Sequence, residues 1–172
     1  MEQLGTTITS SHLDGLTKEV YRLAVRGIIL QDGKLLMVYC KAFNDYTFPG
    51  GGVEKDEDEL VALGRECREE VGAIIDNPQP FYKICERRET GLDTILNHES
   101  RFYLCNLVSR CEPQLEEYEK EFGYEARWIT IDEAISYDED KMKQFSIDDY
   151  VGVIERELRI LYKLKEIENN KL

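Results

Sequence analysis

The stretch from Gly50 to Ala73, GGGVEKDEDELVALGRECREEVGA, constrains the fold more than any other. Three glycines precede a run that sets eight acidic residues against two arginines and one lysine. Leu60, Leu63, Cys67 and Val71 recur at helical spacing, which predicts a helix over 57–71 with an apolar stripe for a sheet. Asp56 is its expected cap, and Glu59, three residues on, would complete a capping box. On this helix Glu66, Glu69 and Glu70 stand at i, i+3 and i+4, so three carboxylates crowd one face. Like charges at that spacing repel, and something cationic must compensate them. Arg65 and Arg68 would suffice on an ordinary solvated helix. The alternative is a metal: carboxylates beside the exposed carbonyls of a glycine loop are the hard oxygen donors that Mg²⁺ or Mn²⁺ prefers.

Around this core the chain alternates strand and helix patterns. EVYRLAVRGIIL reads as a strand, QDGK as a tight hairpin turn and KLLMVYCK as the returning strand. AFNDYTFPGGGVE reads as a loop. PFYKICERRE and RFYLCNLVSR read as two more strands, joined by a long loop TGLDTILNHES. EPQLEEYEKEFGYEA is acidic and reads as loop or short helix; RWITI is a short strand, and DEAISY opens a helix with Asp132 as its cap. From Ile147 the pattern is one long amphipathic helix, with Val151, Ile154, Leu158, Leu161 and Leu164 on its apolar face and a charged, solvated remainder. That stripe can be buried on its own domain or against a second copy. Residues 1–18 show no period and read as a loosely attached arm; 19–172 read as one domain carrying the long C-terminal helix.

With 172 residues, 42% hydrophobic and 33% charged, the chain can bury a core. A net charge of −13 disfavours nucleic acid and anionic membrane surfaces as partners, because long-range repulsion pushes them away. A small phosphorylated ligand needs divalent cations and a few placed Lys or Arg to overcome the same field. No apolar run approaches the ~20 residues of a membrane span, and the start shows no secretion signal. The five cysteines form no CxxC pair and read as buried, reduced thiols of a cytoplasmic protein. His12 and His98 read as surface residues.

Gly51, five residues, Glu57, seven residues, then Arg65-Glu66-Cys67-Arg68-Glu69-Glu70-Val71-Gly72-Ala73 resembles the Nudix box, the signature of the Nudix hydrolase superfamily of MutT-like pyrophosphohydrolases. Gly51, Glu57, Arg65, Glu66, Glu69, Glu70 and Gly72 fill every fixed position, and the preceding FPGG also looks like the family. Cys67 and Ala73 depart mildly, standing where the family prefers Ile, Leu or Val. The resemblance implies an α/β fold, the α/β/α sandwich with a mixed β-sheet, and cleavage by water of a nucleoside diphosphate linked to another moiety X. Carried over residue by residue, Glu66, Glu69, Glu70 and the carbonyl of Gly50 would bind Mg²⁺ or Mn²⁺, while Glu57 and Arg65 would hold the helix and its carboxylates. Family members often recruit one more glutamate before the later tryptophan, here Trp128. Glu119, Glu121 and Glu125 qualify, and spacing favours Glu121.

Lys41, at the end of a strand before the loop, is the expected phosphate contact. Arg22 and Arg26 share a strand face, and Arg26 is expected to meet the ligand. Phe43, Tyr46 and Phe48 lie close enough in sequence to stack on a base, although aromatics at a Pro-Gly turn more often pack. The substrate itself stays open: Arg88 stands where ADP-ribose hydrolases carry a proline, and Thr90 near where dinucleoside polyphosphate hydrolases carry a tyrosine. Two other readings compete with the hydrolase. One is a catalytically silent, nucleotide-sensing Nudix-fold binding domain, which the intact box disfavours. The other is an isoprenoid diphosphate isomerase, whose box departs where this one conforms. Family members are often dimers, which raises the homodimer as the partner of the C-terminal stripe.

Overall fold

The computed structural model describes residues 1–10, 13–91, 93–144 and 151–170. His12 and the expected helix start at Ile147 lie outside them. The elements in chain order are β1 (Glu2–Gln3), β2 (Ile8–Thr9), β3 (Lys18–Gln31), β4 (Lys34–Cys40), β5 (Asp45–Thr47), α1 (Glu59–Val71), β6 (Ala73–Glu89), β7 (Thr94–Arg110), α2 (Glu117–Phe122), β8 (Tyr124–Thr130), α3 (Ile131–Gln144) and α4 (Val151–Asn169). The strands form one mixed sheet in the order β1-β6-β7-β3-β4-β5, with β2 also on β6 and β8 on the other edge of β4. β3 and β7 run parallel at its centre; β6–β7, β3–β4 and β4–β8 are antiparallel.

Helices cover both faces. α1 packs Ala62, Leu63, Cys67 and Val71 against Val25, Ile29, Leu36 and Val38. Here the sheet admits the helix closely, since a Cβ on Gly27 would stand 2.6 Å from the Cys67 sulfur. The small thiol at this box position fits that approach. On the opposite face α3 and α4 cover Ile28, Leu35, Met37, Phe48, Ile84 and Phe102 with Ile131, Ala134, Ile160, Leu161 and Leu164. This is the expected α/β/α sandwich. Of the predicted α4 stripe, Ile154, Leu158, Leu161 and Leu164 are buried within the chain, and the Val151 side chain lies outside the described residues. Ile160, absent from the predicted stripe, is fully buried. Among the described residues no helix is long and apolar enough to cross a membrane.

Several expectations change on contact with the tertiary structure. The arm is not loose: β1 and β2 pair with β6, and Arg159 of α4 donates to the carbonyls of Leu4 and Thr6. The predicted long loop TGLDTILNHES is mostly strand, because Thr94–Ser100 is flanked by β3 and β6, and its polar residues find cross-strand partners such as Arg87–Asn97 and Lys83–Glu99. The predicted loop after β4 contains β5, paired with Val38–Cys40. The cap of α1 is Asp58, which accepts from the N–H groups of Leu60 and Val61; Asp56 has a positive φ of 67° and cannot take that place. Leu60 is exposed, and Glu59 pairs with Arg101 at 2.6 Å. At α3 the reciprocal cap is Thr130 with Glu133, and Asp132 pairs with Lys165. His98 is buried beside Glu86, and Cys111 is exposed.

Candidate active site

The loop before α1 is fixed by the sheet edge that β4 leaves behind. β4 pairs with β3 only at Leu35 and Lys34, then diverges. The vacated β3 edge is taken by the loop: Gly27 N donates to Pro49 O at 2.8 Å, Val25 N to Gly51 O at 3.0 Å, and Val53 N to Leu23 O at 3.0 Å. Docking this close requires glycine. Gly50 has a φ of 145°, and a Cβ there would stand 2.0 Å from Val25 O. A Cβ on Gly51 would stand 2.5 Å from Glu66 Oε1, so the missing side chain leaves the cradle in which that carboxylate lies. At the far end Gly72, with φ 63°, terminates α1 in the left-handed conformation that favours glycine.

Arg65 organises the carboxylates. Its Nε and Nη2 donate to the two oxygens of Glu57 at 2.9 and 3.0 Å, a bidentate fork. Its Nη1 donates to Glu66 at 2.8 Å and to Glu69 at 3.1 Å. These hydrogen bonds hold the Glu57 carboxyl below its ordinary range and raise Arg65 above its own. Glu70 is buried on the loop side, where it accepts the Gly50 N–H at 2.6 Å. Burial pushes its carboxyl up to about 8 against the opposing pull of Arg26 and the Gly50 N–H. Glu66 is raised by burial too, with Arg65 opposing. The cluster thus has more negative charge than its arginines neutralise.

The other expected residues fall into different places. Glu121 is exposed on α2. Glu119, two residues earlier, is 3% exposed, accepts from Glu116 N at 2.7 Å and Tyr118 Oη at 3.0 Å, and its charge helps raise Glu70. The signal for it was a capping box, Glu116 with Glu119, which turns the second carboxylate inward. Glu125 pairs with Lys41 and with Arg127, whose guanidinium stacks 3.6 Å from the Tyr39 ring centre. Lys41 keeps 58% of its side chain exposed. Arg26 does not reach outward for a ligand. Its Nη1 donates to the carbonyls of Phe48 at 3.1 Å and Gly50 at 2.6 Å, bracing the loop from behind. Phe48 is fully buried with its ring edge-on to Phe102, so it offers no face to a base.

The donor set suits a hard divalent cation: Glu66, Glu69, Glu70 and the second lone pair of the Gly50 carbonyl are all oxygens. In the present arrangement no three ligating side chains among the described residues close to coordinating distance. Arg65 stands between Glu66 and Glu69, and one oxygen of Glu70, Oε2, is held by Gly50 N.

A NUDIX domain model matches residues 20–149. The chain belongs to the Nudix family. This Nudix chain is 28% identical over 130 residues to Nudix hydrolase 12, mitochondrial, of Arabidopsis thaliana, a match covering 74% of this chain and 63% of that protein. It is 46% identical over 52 residues to CTP pyrophosphohydrolase of Escherichia coli K12, covering 28% of this chain and 38% of the other. It therefore spans less than two thirds of the length of either relative. A NUDIX hydrolase structure from Nitrosomonas europaea aligns with a TM-score of 0.57 at 20% identity, over 85% of this chain and 90% of that one. A UDP-X diphosphatase aligns with a TM-score of 0.56 at 13% identity, over 87% and 64%. At such identities the structural likeness shows the Nudix fold alone.

Proposed function

We propose that this Nudix protein hydrolyses the pyrophosphate linkage of a nucleoside diphosphate joined to another moiety X. The observation that carries the reading is the Arg65 hub, which gathers Glu57, Glu66 and Glu69 on one side while Glu70 faces the Gly50 loop. Glu66, Glu69, Glu70 and the Gly50 carbonyl would hold Mg²⁺ or Mn²⁺. When bound, such an ion neutralises charge on the diphosphate oxygens and lowers the pKa of a coordinated water. The Glu57 fork would keep Arg65 beside the site with Glu66 and Glu69 holding such an ion. Glu119, rather than Glu121, supplies the further carboxylate from α2. Lys41, paired with Glu125 but with most of its side chain in water, would exchange that partner for a phosphate. Arg26 acts on the loop, not on the substrate. The five free thiols support a reducing, cytoplasmic place of action, and a homodimer is the partner state to test by sedimentation.

The test is a screen of nucleoside diphosphate derivatives with Mg²⁺, reading released monophosphate. The expected result is turnover of at least one nucleoside diphosphate–X that EDTA abolishes. Binding of nucleotides with no turnover of any would replace the hydrolase with a sensor.

A further inference from the structure

Helix α4 was expected to turn its charges to water, yet two of them are among the most buried groups in the protein. Arg156 is 2% exposed and Glu157 has no exposed surface. Glu157 Oε1 accepts from Arg156 Nε at 2.9 Å and Nη2 at 2.6 Å. Arg156 Nη1 donates in turn to Glu86 Oε2 at 3.2 Å. The second oxygen of Glu157 accepts the backbone N–H of Phe48 at 3.1 Å, across 109 residues of chain. Phe48 begins the turn that ends at Gly50. Its carbonyl and that of Gly50 are held by Arg26, and the Gly50 N–H holds Glu70. A continuous path of buried hydrogen bonds therefore runs from α4, through the Phe48–Gly50 backbone, to a carboxylate of the box on the other face of the sheet.

Stability alone does not account for this path. A buried ion pair contributes little compared with apolar side chains of the same size, because desolvation offsets most of the attraction. An apolar pair on α4 would serve the core as well, but it would leave the Phe48 N–H without an acceptor. We propose that Glu157, oriented by Arg156, is a positioning residue for Glu70. It fixes Phe48, which fixes the Gly50 peptide, whose N–H sets the direction of the carboxylate. This inference rests on the reading of Glu70 as a metal-holding group.

The experiment compares Glu157→Ala, Glu157→Gln and Leu158→Ala in the full chain, following Mn²⁺ binding by the EPR signal of free Mn²⁺ alongside turnover and melting temperature. Loss of an outer partner of a metal ligand costs about 10–100-fold in affinity. Glu157→Ala is expected to weaken Mn²⁺ binding by about tenfold and lower kcat to a similar extent, with KM changed less than about twofold. Glu157→Gln keeps an acceptor for the Phe48 N–H and loses the charge facing Arg156. It is expected to melt lower and to lose less Mn²⁺ affinity than Glu157→Ala. Leu158→Ala, a cavity one residue away, is expected to lower the melting temperature without moving Mn²⁺ affinity. Wild-type affinity and kcat in Glu157→Ala would overturn the proposal, as would an equal loss in Leu158→Ala. Should Glu157→Ala fail to fold, Arg156→Gln removes the clamp on Glu157 and leaves the acceptor; unchanged Mn²⁺ affinity there overturns it as well. If the wild type neither binds Mn²⁺ nor cleaves any diphosphate, the functional reading itself fails. If wild type and Glu157→Ala both do so equally, only the positioning role fails.

Discussion

Two charged clusters lie back to back across the sheet, and they solve opposite problems. On the α1 face, Glu57, Glu66 and Glu69 share one arginine, and 28% of the Arg65 side chain remains exposed. On the α4 face, Arg156 meets Glu157 and Glu86 in a dry interior, with every one of these side chains at most 3% exposed. The first is short of positive charge and open enough to admit it. The second sets two carboxylates on one arginine but is closed to solvent. Burial pushes Glu70 up to about 8 in the first. In the second, burial is the largest single influence on Glu86 but is outweighed by Arg156, His98 and Arg88 together, which lower it to about 2. A cluster short of cation and open to solvent is suited to take one up; a sealed cluster is suited to hold backbone in place.

The sharpest way to break this contrast is chemical. Glu70→Gln is expected to lower kcat by about a hundredfold to ten-thousandfold while the protein stays folded, since neutralising one carboxylate relieves repulsion. Near wild-type turnover at saturating Mg²⁺ would remove the first cluster from the chemistry. Next in size is the sealed cluster. Arg156→Met leaves two buried carboxylates without their cation and is expected to cost about 3–5 kcal/mol in urea denaturation. Arg65→Met, at a partly exposed site, is expected to cost clearly less. Equal losses would erase the distinction between the clusters.

A third measurement sets the two faces apart by pH. Glu70 titrates higher folded than unfolded, so the metal-free protein loses stability as pH rises from about 4.5 to about 8. Asp138, pushed up to about 8 by burial and by Glu157 and Asp45, adds to the same fall. Glu86 works the other way: its contribution is present above about 4.5 and is lost as pH falls toward 2. Metal requires the ionised form of Glu70. The stabilisation by Mg²⁺, about 2.7 kcal/mol at a hundredfold excess over Kd, should therefore grow between pH 5 and pH 8, while the acid limb governed by Glu86 stays unmoved. A calorimetric melt with and without EDTA across that range checks both signs. The smallest expected effect is Glu121→Gln, within about 0.5 kcal/mol of wild type as for other exposed positions, with unchanged turnover. Glu119→Gln should lower turnover. The reverse order would restore the spacing argument.

Sandwich, box and loop were legible because each is written locally. The α1 stripe, the Asp-Gly turn and the glycines before the box need only near neighbours to be read. What was not legible depends on distant partners. Thr94–Ser100 is too polar to look like a central strand until Arg87, Lys83 and Glu86 are set across from it. Phe48 lies just before the box and Arg26 on β3, 24 residues before Gly50, yet the divergence of β4 from β3 turns one into the core and the other toward the loop's carbonyls. Arg156 and Glu157 interrupt no pattern of an amphipathic helix, and nothing local marks them for burial. Glu119 was within reach, because its capping box spans four residues.

The bond between Phe48 and Glu157 also bears on the order in which the molecule is assembled. Its two ends are 109 residues apart, and the central parallel pairing likewise joins segments about 76 residues apart at Thr17 and Asp93. Closing such long loops carries an entropic cost that local contacts do not, and it slows folding. During synthesis the box helix emerges long before either of its distant supports. A nascent chain can therefore wind α1 early, with its carboxylates in sequence but not yet in register with the Gly50 loop. Refolding followed by two probes should show it: helical signal returning first, and Mn²⁺ capacity returning only with the slow phase that docks α4.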